Sequence, residues 1–184
     1  MTIKRCSWCE KDDLYRNYHD TEWGKPVYDD ATLFEYLVLE SFQAGLSWHT
    51  ILKKRENFRK AFDNFDYEII AQYDDAKIDS LLQNEGIIRH QLKIMATINN
   101  AKMFKEIQVE YDTFSKYIWS FINHQHIDNS PKSLDEVPAT TIISDKIAKE
   151  LKKKGFKFLG TTTVYAFMQA IGMVNDHVID CSFR

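Results

Sequence analysis

Residues 155–162 read Gly155-Phe156-Lys157-Phe158-Leu159-Gly160-Thr161-Thr162, a stretch that turns the chain sharply between two predicted helices. One helix runs to Lys154, with Ser144 placed to cap its start, and the other continues to Ile171. Glycines let backbone N–H groups approach another molecule, and a helix start presents uncommitted donors that suit a phosphate. An ordinary helix-to-helix turn with a glycine cap explains the same residues, so this segment alone leaves both interpretations open.

The remainder of the 184-residue chain is also typical of a helical protein, because glycine and proline are scarce and no β-branched run alternates. Asp29-Asp30 can cap a helix whose apolar residues follow helical spacing, and Ser47 can cap the next helix. A long helix is predicted from about His90 to Glu110. The segment from Gln125 to Thr141 holds two of the three prolines and reads as a connection. We therefore expect an all-α protein that forms a single domain over residues 1–184, with two packed lobes.

The net charge of −3 is not typical of a protein that coats nucleic acid, although residues 152–157 gather four lysines into one local basic patch. No apolar stretch is long enough to span a bilayer, and residues 1–5 lack the apolar core of a secretory signal. We expect a cytoplasmic protein with no membrane partner, and nothing in the sequence demands more than a monomer.

Residues that bind metal ions stand at both ends of the chain: Cys6 and His19 near the start, His177 and Cys181 near the end. His177 and Cys181 are four apart, so on a helical turn both would project from one face. Two thiolates and two imidazoles make a closed, tetrahedral structural zinc site. Free thiols in a reducing compartment are the simpler interpretation, and Cys6-x-x-Cys9 offers a competing pair of ligands. Spacing alone does not decide between these alternatives.

Several further segments occur together and in a fixed order along the chain. They are Tyr18-His19-Asp20-x-Glu22-Trp23-Gly24, Glu40-x-x-Gln43-Ala44-Gly45-Leu46-Ser47-Trp48, Gly86-Ile87-Ile88-Arg89-His90, Trp119-Ser120-Phe121, the 155–162 stretch, and Asn175-Asp176-His177-Val178. Together they resemble the DNA-3-methyladenine glycosylase I family of bacterial repair enzymes, over essentially the whole chain. The resemblance implies a helix-hairpin-helix glycosylase fold and hydrolysis of the N-glycosidic bond of N3-methyladenine in alkylated duplex DNA.

The resemblance also implies one structural Zn²⁺ per chain, which joins the N-terminal and C-terminal segments. By position its ligands match Cys6, His19, His177 and Cys181, and Cys9 is then the spare thiol. The family's hairpin grips the phosphodiester backbone of DNA. The matching DNA-binding residues here are Gly155, Lys157, Gly160, Thr161 and Thr162.

A glycosylase must swing its target nucleotide out of the duplex, at a cost of a few kcal/mol, and hold it in a pocket. Stacking on aromatic side chains contributes roughly 1–3 kcal/mol per base, and a cationic base gains a further cation–π attraction. By resemblance, the aromatic residues of the base pocket are Trp8, Tyr18 and Trp48. Aromatic residues in a helical chain mostly belong to the core, and we assign Trp23 and Trp119 to packing.

Glu40 is the candidate catalytic residue. It ends an apolar helical run, where a carboxylate is costly without a partner, although a surface or structural glutamate is the commoner case. By resemblance it reads the edge of the damaged adenine. The cationic base leaves readily, so little protonation is needed, and no lysine nucleophile for a lyase step can be assigned. Other glycosylases of the superfamily carry an essential aspartate that this family lacks; Asp176 is better explained as a capping group or a partner of His177.

Two rival hypotheses belong to other classes. A zinc-stabilised helical DNA-binding module without catalysis would bind duplex DNA and release no base. A catalytic zinc would need only three protein ligands and an open position for water.

Overall fold

The computed structural model describes residues 3–184 and is built mainly from helices, which confirms the predicted all-α class. In chain order the helices are α1 (Asp13–Thr21), α2 (Asp30–Gln43), α3 (Trp48–Ala61), α4 (Tyr67–Ile70), α5 (Asp75–Gln83), α6 (Gln91–Tyr111), α7 (Phe114–Ser120), α8 (Ile142–Lys153) and α9 (Thr161–Ala170). Short 3₁₀ helices cover Ser7–Cys9, Asp63–Phe65 and Leu134–Glu136. Two strands, β1 (Ile127–Asp128) and β2 (Val174–Asn175), complete the fold.

Local capping sets most of the helix starts. The side chain of Asp29 accepts a hydrogen bond from the backbone N–H of Thr32 at the start of α2, and Ser47 caps α3 in the same way. At α8 the cap is Thr141, and Ser144 lies three residues further on as the reciprocal member of a capping box. The prediction that Ser144 is the cap was therefore wrong by one helical turn.

Helix α2 carries much of the core, because its side chains are buried on nearly every face. Leu33, Phe34, Leu37 and Phe42 have no exposed surface, and the helix packs against α3, α6, α7 and α9. Burying each such side chain contributes about 1.5–3 kcal/mol to folding. Within residues 3–184, none of the helices combines the length and the apolar character needed to cross a membrane.

The two strands pair in parallel, with Ile127 opposite Val174 and Asp128 opposite Asn175. This pairing attaches the predicted connection between α7 and α8 to the C-terminal segment. Sequence patterns did not predict it, because each strand is two residues long and its partner is 47 residues away in register. The C-terminal segment is thereby fixed beside the end of α9.

Candidate functional site

A cavity of about 300 Å³ opens between the N-terminal segment, α2, α3 and α9. Most of its walls are aromatic or carry amide and carboxyl groups. The lining residues are Trp8, Tyr15, Tyr18, Trp23, Glu40, Gln43, Trp48, Leu134, Val137, Ala166 and Gln169. We call this space the aromatic cavity. The three aromatic residues predicted for a base pocket and the candidate catalytic residue Glu40 are all among them.

The aromatic side chains of the cavity pack as edge-to-face or tilted pairs. The rings of Tyr18 and Trp48 have centroids 5.4 Å apart at 53°, and those of Trp8 and Tyr15 are 4.8 Å apart at 66°. The indole N–H of Trp48 is buried and has no hydrogen-bond partner within the described chain. An enclosed donor without a partner is uncommon in folded proteins, and it marks a place where a ligand atom can accept a hydrogen bond.

Glu40 enters the aromatic cavity from the last turn of α2. Its side chain is 3% exposed, and its Oε2 has no hydrogen-bond partner among the described residues. Burial raises the pKa of the Glu40 carboxyl well above its ordinary value, because a low-dielectric site penalises the charged form. Burial therefore favours the protonated form of the carboxyl group, and a nearby positive charge or a set of hydrogen-bond donors would favour the carboxylate.

A buried histidine joins the two helices that supply the aromatic walls. His49 is 4% exposed, and its Nε2 lies 2.5 Å from Oδ2 of Asp12. Asp12 is also the N-cap of α1, where its other oxygen accepts the N–H of Tyr15. This contact fixes the start of α1 against the start of α3, and so fixes Tyr15 relative to Trp48.

The four predicted metal ligands at the chain ends lie together. Cys6, His19, His177 and Cys181 are all buried, and their ligand atoms lie within 4.8 Å of one another. We call them the terminal cluster. The Sγ of Cys181 is 3.3 Å from Nδ1 of His177 and 3.5 Å from Nε2 of His19. Zinc–ligand bonds of 2.0–2.3 Å give a tetrahedron with edges of about 3.6 Å, so the spacing fits a zinc ion.

Hydrogen bonds orient both rings of the terminal cluster. Nδ1 of His19 lies 2.7 Å from Oδ1 of Asp20, and Nε2 of His177 lies 3.0 Å from the carbonyl oxygen of Trp23, so the opposite nitrogen of each ring faces the thiols. Burial lowers the pKa of His177 to about 4, which keeps the ring in the neutral form that binds metals. The residues fit a structural Zn²⁺, with all four tetrahedral positions supplied by the protein.

The segment 177–181 is a turn and not the helical turn that we expected from the spacing of its ligands. The N–H of Cys181 donates to the carbonyl of Val178 at 2.8 Å, and this bond brings the two ligands to one side. Cys9, the competing thiol, points elsewhere: its Sγ donates to the carbonyl of Cys6 at 3.1 Å. Cys9 is thus outside the terminal cluster.

The stretch 155–162, which we call the glycine turn, connects α8 to α9. Gly155 adopts φ +90°, and Phe158 adopts φ +58°, a left-handed conformation that is unusual for a bulky residue. Gly160 occupies the N-cap position of α9 without any side-chain cap, which leaves the first N–H groups of the helix uncommitted. The hydroxyl of Thr161 donates to Asp145 at 2.5 Å, so only the backbone of this residue is available to a ligand.

Residues 8–184 match the model of the methyladenine glycosylase family. A relative from Escherichia coli (strain K12), DNA-3-methyladenine glycosylase 1, is 48% identical over 179 residues, which cover 97% of this chain and 96% of the relative. The chain belongs to the methyladenine glycosylase family. A crystal structure of 3-methyladenine DNA glycosylase I matches with a TM-score of 0.95 at 49% identity, covering 97% of this chain and 98% of that one.

A further similar structure comes from Staphylococcus aureus and concerns 3-methyladenine recognition by its 3-methyladenine DNA glycosylase I. It has a TM-score of 0.94 and 39% identity, and it covers 99% of this chain and 97% of that one.

In this methyladenine glycosylase, sequence reasoning did not identify Tyr15, Trp23, Gln43 or Gln169 as cavity residues. Trp23 was assigned to packing; it packs on the ring of His177, 4.7 Å between centroids, and also lines the aromatic cavity. Gln43 stood in a quoted motif, so its position beside Glu40 was the available signal. No local signal identified Gln169, because its side chain comes from α9, more than a hundred residues further along the chain.

Asp176 is neither a partner of the His177 ring nor a cap. It is fully buried, and its carboxylate accepts hydrogen bonds from Tyr165, Gln169 and Asn129 at 2.7, 2.8 and 2.7 Å. Three donors satisfy the carboxylate inside the protein. Because Gln169 lines the aromatic cavity, Asp176 acts on the site by holding that amide.

Proposed function

We propose that this chain releases N3-methyladenine from alkylated duplex DNA by hydrolysing its N-glycosidic bond, without a lyase step. The observation that carries the proposal is the buried, unpartnered carboxyl of Glu40 among aromatic rings. The family match and the Escherichia coli relative, a DNA-3-methyladenine glycosylase, support the same chemistry.

Selectivity for the damaged base follows from charge. N3-methylation makes adenine cationic, and the cation supplies the opposite charge that a buried carboxylate requires, so base and Glu40 stabilise each other. Neutral adenine carries no charge that could pair with the carboxylate, so it gains no ion pairing. The faces of Trp8, Tyr18 and Trp48 add stacking and cation–π attraction, which again favour the cationic base.

Bond cleavage then needs little from the protein. The base is a good leaving group because it departs as a neutral molecule, and the sugar passes through a cation-like state that water captures. The role of Glu40 is to hold the base edge by accepting its N–H groups. The chain offers no lysine in the lining of the aromatic cavity, in keeping with hydrolysis without a Schiff base.

Duplex DNA would be held by a helix-hairpin-helix element formed by α8, the glycine turn and α9. The turn and the uncapped start of α9 offer backbone N–H groups from Gly155, Gly160, Thr161 and Thr162 to phosphate oxygens, and Lys157 adds a positive charge. Zn²⁺ in the terminal cluster would supply structural cross-linking, since four protein ligands leave no position for a reacting water. We propose a single-domain monomer.

Base release from methylated duplex DNA, followed by chromatography of the free bases, tests the proposal. Free 3-methyladenine should appear, and Trp48→Ala should lower both its rate of release and the affinity for the free base by roughly tenfold or more. Tyr28→Ala is the matched control, because Tyr28 is an aromatic residue 58% exposed outside the aromatic cavity. Duplex binding without any released base would instead support the rival DNA-binding module.

A further inference from the structure

The glycine turn is held from the side by one asparagine of α6. Asn100 is 1% exposed, and its amide makes two hydrogen bonds to the backbone of Lys157. Its Oδ1 accepts the N–H of Lys157 at 2.8 Å, and its Nδ2 donates to the carbonyl of Lys157 at 2.9 Å. One side chain thus pairs with both backbone groups at the centre of the turn, as a neighbouring strand would.

This pairing meets a specific need of the turn. A backbone that changes direction between two helices has no helical partner for its N–H and C=O groups, and leaving them unpaired is costly. Asparagine carries a donor and an acceptor on one short planar amide, so a single residue satisfies both groups. A carboxylate supplies only acceptors, and an aliphatic side chain supplies neither.

Two further contacts fasten the same turn to α6. Asn99 donates from Nδ2 to the carbonyl of Gly155 at 2.8 Å. A Cβ atom at Gly155 would lie 2.9 Å from Sδ of Met103, so the turn lies directly against the helix there. The left-handed Phe158 follows immediately after Lys157. Contacts with α6, and not the turn alone, therefore hold the backbone conformation of the residues between Lys157 and the start of α9.

We propose that Asn100 is a positioning residue for DNA binding: it fixes the backbone at Lys157 so that the lysine and the N–H groups at the start of α9 face one phosphodiester strand together. The inference rests on the proposed function of the glycine turn. Asn100 does not line the aromatic cavity, so its effect is confined to duplex affinity and leaves base recognition intact.

The test compares Asn100→Ala with Thr97→Val in the complete chain. Thr97 lies one turn earlier in α6, is also 1% exposed, and bonds only to the carbonyl of Lys93 in its own helix. Three quantities are measured for each variant: the melting temperature, the dissociation constant for an undamaged duplex at fixed salt, and the affinity for free 3-methyladenine.

Asn100→Ala should weaken duplex affinity on the order of tenfold, from the loss of two hydrogen bonds. It should raise KM for methylated DNA while kcat and free-base affinity stay within about twofold, because the lost binding is equal in the ground state and the transition state. Thr97→Val should lower the melting temperature without changing duplex affinity. If Asn100→Ala does not fold, Asn100→Asp replaces it, since it keeps the acceptor for Lys157 and loses the donor.

A double-mutant cycle with Lys157→Ala distinguishes positioning from general stability. If Asn100 acts through Lys157, removing Asn100 from the Lys157→Ala background should cost clearly less duplex affinity than removing it from the wild type. Duplex affinity equal to wild type in a folded Asn100→Ala or Asn100→Asp protein would overturn the proposal, as would full additivity in the cycle. Failure of the wild type to release base would overturn the proposed function instead, and the two failures are therefore distinguishable.

Discussion

Replacing Glu40 with glutamine should make the protein more stable at neutral pH, although it removes a residue of the site. The pKa of the Glu40 carboxyl is raised well above its ordinary value of 4.5 by burial. Below about pH 4.5 the carboxyl is protonated in both the folded and the unfolded chain, so in that range Glu40 contributes no pH dependence to the free energy of unfolding. Above that pH the unfolded chain releases the proton while the folded chain keeps it, so stability falls as pH rises.

The slope is about 1.4 kcal/mol per pH unit for one proton, and it ends at the folded-state pKa. Glutamine has nearly the same shape and does not ionise. Above pH 4.5 the difference in unfolding free energy, variant minus wild type, should therefore grow with pH in favour of Glu40→Gln until the folded-state pKa is reached. Urea denaturation at half-unit pH intervals measures this difference, in which the contributions of all other titrating groups cancel.

Glu35→Gln is the matched control, because it makes the same change on the same helix with the opposite expected sign. Oε1 of Glu35 is 2.5 Å from Nε of Arg55 and 2.8 Å from a guanidinium nitrogen of Arg59. Removing that charge should cost about 1–3 kcal/mol, because it leaves a mostly buried guanidinium without one of its partners.

Activity should change in the other direction from stability. Glu40→Gln cannot carry the charge that pairs with the cationic base, so 3-methyladenine release should fall roughly 10- to 100-fold. A flat difference curve between pH 5 and pH 7 would refute the claim that burial raises the pKa of the folded carboxyl. Unchanged base selectivity would refute its role in recognition.

Three further outcomes follow from other contacts. His177→Ala, or treatment with a chelator, should lower the melting temperature, while base release persists at temperatures below the new transition. Loss of activity at an unchanged melting temperature would contradict a structural metal. His49→Ala should cost about 1–2 kcal/mol of unfolding free energy and weaken affinity for free 3-methyladenine, because the 2.5 Å contact between His49 and Asp12 joins α1 to α3. Asp12→Asn should have a smaller effect on both measurements. Gly172→Ala should cost about 3 kcal/mol or more by denaturant titration, because φ is +68° and the added Cβ would lie 2.2 Å from the carbonyl carbon of Lys25.

Features that depend on near neighbours in the sequence were predictable. Asp29 and Ser47 cap their helices as expected, because a capping side chain needs only a backbone N–H three residues away. The end of α2 before Gly45, which adopts φ +82°, follows from the same local rule. The cap of α8 is an exception: it is Thr141 and not Ser144. Both residues can take part in a capping box, and the sequence does not show which of them occupies the N-cap position.

Features that depend on distant segments were not predictable from residue patterns. A helical histidine such as His49 is usually exposed, and only its approach to Asp12, 37 residues away, makes it buried. The β1–β2 pairing and the contribution of Gln169 to the aromatic cavity have the same origin. The choice of Cys6 over Cys9 at the chain ends came from family resemblance, because the two thiols are separated by a single 3₁₀ turn and both are buried.

Two indole rings, those of Trp8 and Trp23, lie between the terminal cluster and the aromatic cavity, and through them the chain ends would support a site that uses no metal chemistry. The ring of Trp8 lies 5.3 Å from His19, the ring of Trp23 lies 4.7 Å from His177, and both indoles also line the aromatic cavity. The carbonyl of Trp23 orients His177 in turn. A metal ion that holds these histidines therefore fixes two walls around Glu40. Because packed side chains transmit small displacements, loosening the cluster should change the shape of the cavity before it alters the carboxyl itself.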